Sequence, residues 1–345
     1  MNITELLASS AKRGASDLHL SAGMVPMLRV DGVLEALGVS VIDDSTLRRE
    51  LQALLGESRW AAFNAELEAD VALDLPGVAR FRGNVFQHGR GIGAVFRTIP
   101  GGVKGLVELG MAESLGRLAA LRRGLVLVTG PTGSGKSTTL AAIIDAINET
   151  RHDHILTIED PVEFVHHGKR CLINQREVSR DTRSFAAALR GALREDPDVI
   201  LVGEMRDLET MRLALTAAET GHLVLGTLHT LSAAKTIDRI IDAFPGPEQG
   251  MVRAMLSESL QAVVSQVLLK RCGGGRVAAH EVMVATPAVR NLIREDKVAQ
   301  LHSVLQTGAA QGMQTLDAAL ARLVADGVVA RDEAQAHARS PLPGL

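Results

Sequence analysis

Residues 130–137, Gly-Pro-Thr-Gly-Ser-Gly-Lys-Ser, constrain this chain more than any other segment. They fit the spacing G-x-x-x-x-G-K-[ST], follow the apolar run Leu125–Val128, and open a helical pattern over Ser137–Asn148. A strand, a glycine loop and a helix in that order turn successive backbone N–H groups inward at a helix N-terminus, which makes an anion cradle. In such a cradle Gly130, Pro131, Thr132, Gly133, Ser134 and Gly135 wrap a polyphosphate. Lys136 reaches its β- and γ-phosphates, and Ser137, followed by Thr138, supplies a hydroxyl to Mg²⁺. The chemistry predicted is therefore that of ATP with Mg²⁺.

The same strand-then-helix alternation runs on. Ile155–Ile158, Val199–Val202 and Leu223–Leu228 are continuous apolar runs rather than alternating ones, as expected of strands buried on both faces of a parallel sheet. Helical stretches over Ser184–Glu195 and Asp207–Thr220 separate them, the first stopping before Pro197 and the second at Gly221. An α/β domain with right-handed crossovers follows, its strand order open. From Pro247 to Arg271, apolar residues at Val252, Met255, Leu256, Leu260, Val263, Val264, Val267 and Leu268 predict one helix closed by Gly273–Gly275. A helix-rich tail, about 280–340, completes the chain.

Residues 1–100 read differently. Short runs at Met27–Val30, before a turn at Asp31-Gly32, and at Val78–Phe86 mix with helical patterns near 2–13 and 45–68, which indicates a small α+β domain. Turn formers crowd Pro100–Gly105, so residues 101–110 are expected to be a linker or hinge, with the second domain over 111–345.

Two further segments carry carboxylates at strand ends. Asp198–Gly203 leads into Glu204, expected beside the loop strand, where a carboxylate can hold a Mg²⁺ shell or a water. Glu159, Asp160 and Glu163 crowd the end of the 155–158 strand. Like charges so close make sense beside a polyphosphate, with Glu163 the preferred general base and Glu159 supporting it, although a solvated acidic turn would look the same. His222 and His229 flank another strand, and histidines so placed are more often structural than catalytic. No His/Cys spacing of a protein-held metal occurs.

Composition narrows the partners. With 345 residues, 46% hydrophobic and 22% charged, the chain has room for about two cored domains. Its 37 Lys plus Arg against 40 Asp plus Glu, one Trp and no Tyr weigh against a nucleic-acid translocase, which would need basic and stacking surfaces. No lid or acceptor pocket of a small-molecule kinase is recognisable. Two isolated cysteines, Cys171 and Cys272, suit a reducing cytosol, and no apolar run is long enough to insert in a membrane.

Taken together, GPTGSGKSTT (130–139), ILTIEDPVEFVH (155–166), REDPDVILVGEMRDLET (194–210) and GHLVLGTLHT (221–230) resemble the Walker A, Asp box, Walker B and His box of the hexameric ATPases of type II secretion and type IV pili. GASDLHLSAG (14–23) and PGVARFRGN (76–84) are similar to that family's PAS-like N-terminal domain, and AVRNLIREDK (288–297) resembles the C-terminal motif of its pilus-retraction branch. The four-cysteine motif of the assembly branch is missing. The resemblance implies a PAS-like α+β domain followed by a RecA-like P-loop ATPase domain with a helical C-terminal extension. It implies a homo-hexameric motor at the cytoplasmic face of the inner membrane that acts on a pilus platform protein (PilC-like), with an accessory retraction ATPase as a further partner. It assigns Glu163 as catalytic glutamate, Glu204 as the Walker B acid, and His222 and His229 as couplers of nucleotide state to movement. Arg82 and Arg97 become the pair that meets the γ-phosphate, with Arg80 an alternative to Arg82.

Overall fold

The computed structural model describes residues 2–30, 32–99 and 102–342. Asp31 of the expected turn, and Pro100 and Gly101 at the head of the expected linker, lie outside the described residues. By its internal contacts the chain divides into two compact units, Met1–Gly102 and Val103–Leu345.

In the first unit, α1 (Ile3–Lys12) and α2 (Asp44–Glu66, broken at Gly56) accompany six strands. These are β1 (Asp17–Ser21), β2 (Met27–Val30), β3 (Val33–Ala36), β4 (Glu68–Leu75), β5 (Ala79–His88) and β6 (Gly91–Ile99). They form one antiparallel sheet in the order β3-β2-β1-β6-β5-β4. Period-2 alternation decides its faces. Leu18, Leu20, Ala94, Phe96, Phe81 and Val85 are buried in the unit's core. The residues between them line the other face.

The second unit runs α3 (Ala112–Ala119), β7 (Gly124–Thr129), α4 (Lys136–Thr150), β8 (His154–Glu159), β9 (Leu172–Glu177), α5 (Phe185–Ala192), β10 (Val199–Val202), α6 (Leu208–Glu219), β11 (Leu223–Leu228), α7 (Ala233–Asp242), α8 (Gly246–Ser259), β12 (Leu260–Lys270), β13 (Arg276–Val284), α9 (Pro287–Arg294), α10 (Leu301–Thr307), α11 (Leu316–Ala325) and α12 (Arg331–His337). Its seven-stranded sheet has the order β13-β12-β7-β11-β10-β8-β9, parallel except for the β12–β13 pair. Both faces of β7 are buried. Leu125 and Leu127 face one core cluster with α5–α8, while Val126 and Val128 face another with α3 and α4. Leu106 and Met111 are buried in this second cluster, so the segment after residue 102 is packed against the unit it enters.

Three expectations need correction. The helix predicted over Pro247–Arg271 is α8 followed by strand β12, because the apolar residues of 260–269 are buried on both sides of a strand and carry no period of their own. Strand β10, which leads to Glu204, does not adjoin the loop strand, since β11 lies between β7 and β10. The C-terminal extension opens with β13 and becomes helical only from Pro287.

Candidate active site at the carboxyl edge of the sheet

The loop after β7 enters α4 through residues that L side chains rarely fit. Gly130, Gly133 and Gly135 all have positive φ, and Gly135 caps α4 with no side chain to meet the first helical N–H groups. Pro131, Thr132 and Gly133 are exposed while Ser134 is buried. A glycine-capped 15-residue helix thus presents unmet donors and the positive end of its dipole to solvent.

The Lys136 ammonium bends back over this loop, donating to the carbonyls of Gly130 (2.9 Å) and Pro131 (3.0 Å) and to Nδ1 of His229 (3.4 Å). An ammonium can only donate, so Nδ1 of His229 is the acceptor and the ring proton sits on Nε2. That Nε2–H donates to Glu204 Oε1 at 2.9 Å, and Arg206 grips the same oxygen at 2.5 Å. Lys136, His229 and Glu204 form one chain from three elements that are neighbours only in the folded sheet. Burial lowers the Lys136 pKa, and Glu204 and Glu163 oppose it, so both carboxylates feel the ammonium. Burial pushes the Glu204 carboxyl up, but Arg206 and His229 outweigh it and leave it below its ordinary value, ionised at neutral pH.

Glu159 and Glu163 divide the second carboxylate cluster. Glu159 is raised by burial against the hydrogen bonds that Thr157 Oγ1 (2.6 Å) and Gln175 Nε2 (3.1 Å) donate to it. It also accepts the backbone N–H of Glu163, so it shapes the loop rather than facing solvent. Val162 and Phe164 are buried and hold the loop from below, which leaves Glu163 between them exposed. Gln175 on β9 completes the clamp: its amide donates to Phe164 O (2.8 Å), and its carbonyl accepts the N–H of His166 (2.8 Å). Ser137, Glu159, Phe164, His166, Gly203 and Thr227 line a cleft beside this loop. Ser137 on α4 offers a hydroxyl and Glu204 after β10 an ionised carboxylate, oxygen donors of the kind that suit Mg²⁺ bound with a nucleotide.

The structure does not bring all the predicted residues together. His222 lies at the opposite end of β11, where its Nδ1–H donates to Ala217 O (3.0 Å) at the end of α6. Arg82 and Arg97 are in the first unit, directly opposite each other on β5 and β6. Arg97 pairs with the largely buried Asp17 at 2.9 Å, and Asp17 is in turn opposite Arg29, so a row Arg29–Asp17–Arg97–Arg82 crosses the open face of that sheet. Like charges facing across strands repel, and Asp17 offsets this for Arg97 while Arg82 stays exposed. Two residues escaped the reading of the sequence. Gln175 stands where only the β8–β9 pairing makes its contacts visible, and Gln266 was hidden in a segment read as helix; its side chain touches the phosphate loop.

The chain is 62% identical over 341 residues to the "Type IV pilus retractation ATPase PilT" of Pseudomonas aeruginosa, covering 99% of each. It is 55% identical to a "Twitching motility protein" of Neisseria gonorrhoeae, covering 98% of this chain and 91% of that one. The crystal structure of the pilus retraction motor PilT with bound ADP superposes with a TM-score of 0.92 at 45% identity, over 99% of this chain and 98% of that one. The family described as "Type II/IV secretion system protein" matches residues 93–336, and the chain belongs to it.

Proposed function

We propose that this chain is an ATP-hydrolysing motor subunit that powers type IV pilus retraction. The observation that carries the reading is the Lys136–His229–Glu204 chain laid over a glycine-capped helix N-terminus, in a protein 62% identical along its whole length to a retraction ATPase. An ADP-bound relative of the same fold supports the same nucleotide here.

The phosphate loop and Lys136 hold the β- and γ-phosphates. Glu163 accepts a proton from a water as that water's oxygen bonds to the γ-phosphorus and the bond to the β–γ bridging oxygen breaks, releasing ADP and phosphate. Ser137 and Glu204 would hold Mg²⁺, which supplies charge neutralisation at the phosphate oxygens. Glu159 keeps the Glu163 loop in place. His229 links Glu204 to Lys136 and so reports nucleotide occupancy to β11. His222 can couple to movement only through α6, which it caps. Arg82 and Arg97 supply positive charge to the γ-phosphate during turnover. Arg97→Ala should then lose about 2–4 kcal/mol of transition-state stabilisation; an unchanged kcat would leave Arg97 a partner of Asp17 alone.

Six copies in a ring, acting on a platform protein at the cytoplasmic face of the inner membrane, are the assembly the resemblance supports. Among the described residues no helix is long and apolar enough to cross a membrane. A strain lacking the gene tests retraction directly. Loss of twitching with surplus surface pili is the expected phenotype, whereas loss of pili would make the motor an assembly ATPase.

A further inference from the structure

Gln266 lies near the middle of β12, 1% exposed, on a strand whose other buried residues, apart from Ser265, are aliphatic. Strand β12 runs parallel to β7, with Val264 opposite Val128 and Ser265 opposite Thr129, so Gln266 comes alongside the first residue of the phosphate loop. A Cβ at Gly130 would meet the Gln266 carbonyl oxygen at 2.3 Å, which, with a φ of +142°, admits only glycine there. The side chain then reaches further along the loop. Its Nε2 donates to Ser134 O at 2.6 Å, and its Oε1 accepts from Thr139 Oγ1 at 2.8 Å. A carbonyl oxygen can only accept, so Ser134 fixes which way the amide points, and Thr139 is left to donate.

One buried residue thus spans the loop, its backbone at Gly130 and its side chain at Ser134 and the first turn of α4. We propose that Gln266 is a positioning residue for ATP binding, holding the phosphate loop in its receptive shape and making nucleotide affinity depend on the β12–β13 hairpin. The inference rests on the phosphate loop being the ATP site. Without the amide, Ser134 O and the Thr139 hydroxyl lose buried partners, the loop samples other shapes, and nucleotide must select the receptive one. The effect falls on affinity more than on the chemical step, because Gln266 touches neither nucleotide nor water.

The test is Gln266→Met, close in volume and unable to form either bond, with Thr139→Val as a second variant that removes one bond from the other side. Expected for Gln266→Met is a rise of about tenfold in both the KM for ATP and the Kd for ADP, corresponding to the loss of about 1.4 kcal/mol, with kcat within about threefold. Thr139→Val should move both constants the same way by about threefold. Were Gln266 only a core residue, the variants would melt earlier without nucleotide and keep their KM and Kd. That result overturns the proposal, and Thr139→Val decides it alone if Gln266→Met does not fold. The parent and Lys136→Ala are measured beside them: a parent that neither binds ADP nor hydrolyses ATP overturns the ATPase reading itself, whereas a normal parent with an unaffected Gln266→Met overturns only the role of Gln266.

Discussion

The two ends of the second unit's parallel sheet are furnished with the same kinds of residue and use them in opposite ways. At the amino end, His154 donates its backbone N–H to Asp198 Oδ2 (2.9 Å), its ring meets Asp196 O and Asn174, and His222 caps α6. Backbone groups and short local partners satisfy these side chains, and the result is strand and helix ends held in register. At the carboxyl end, His229 bridges an ammonium and a carboxylate, with Lys136 and Glu204 half-buried and Glu163 exposed. His222 and His229 sit at the two ends of one six-residue strand with opposite ring protons, Nδ1–H on the first and Nε2–H on the second. Helices α4, α6 and α7 open after β7, β10 and β11 at the carboxyl end, and that is where a polyphosphate finds donors and a positive dipole.

Substitutions at the two ends should therefore differ in kind. Among the cation and histidine substitutions the largest effect is expected from Lys136→Ala, which removes the cation of the carboxyl end; steady-state assays should show kcat/KM for ATP falling by about 10³-fold with the melting temperature barely changed. The histidine pair gives the most direct contrast. His229→Ala breaks a bridge between two charged groups and should lower kcat/KM by about ten- to a hundredfold. His222→Ala should cost about 1 kcal/mol of stability in denaturant titration and leave nucleotide affinity alone. Equal effects of the two on turnover would erase the distinction between the ends.

A further effect concerns a histidine at neither end. His280 on β13 is half-buried with its Nε2 enclosed and without a partner among the described residues, and desolvation holds its pKa at about 4, well below the ordinary 6.5. Between those two values the unfolded chain binds the proton and the folded chain does not, so stability falls as pH drops from 6.5 toward 4. His280→Leu should flatten thermal unfolding across that window, recovering about 3 kcal/mol at its acid end. His166, also held at about 4 by burial, will keep the parent's dependence from vanishing altogether.

The carboxyl end was legible in the sequence where its signals are local. A strand, three glycines, a lysine and a helix within 25 residues determine the phosphate loop, because each residue's role depends on neighbours in the chain. Glu204 was legible as an acid ending an apolar run. What joins it to Lys136 was not, since that depends on β11 lying between β7 and β10. Strand β12 was misread for a related reason. Val263, Val264, Val267 and Leu268 fit a helical stripe as well as a strand buried on both faces. Only the long-range pairing with β7 separates the two readings, and with it came the contacts of Gln266.

The base proposed for ATP hydrolysis at the carboxyl end is Glu163. ATP binding and ATP hydrolysis measured side by side on the parent and Glu163→Gln test it most directly. The parent should turn over, and the variant should bind ATP normally while hydrolysing it about 10²- to 10⁴-fold more slowly. A Glu163→Gln protein hydrolysing ATP at the parental rate would contradict it.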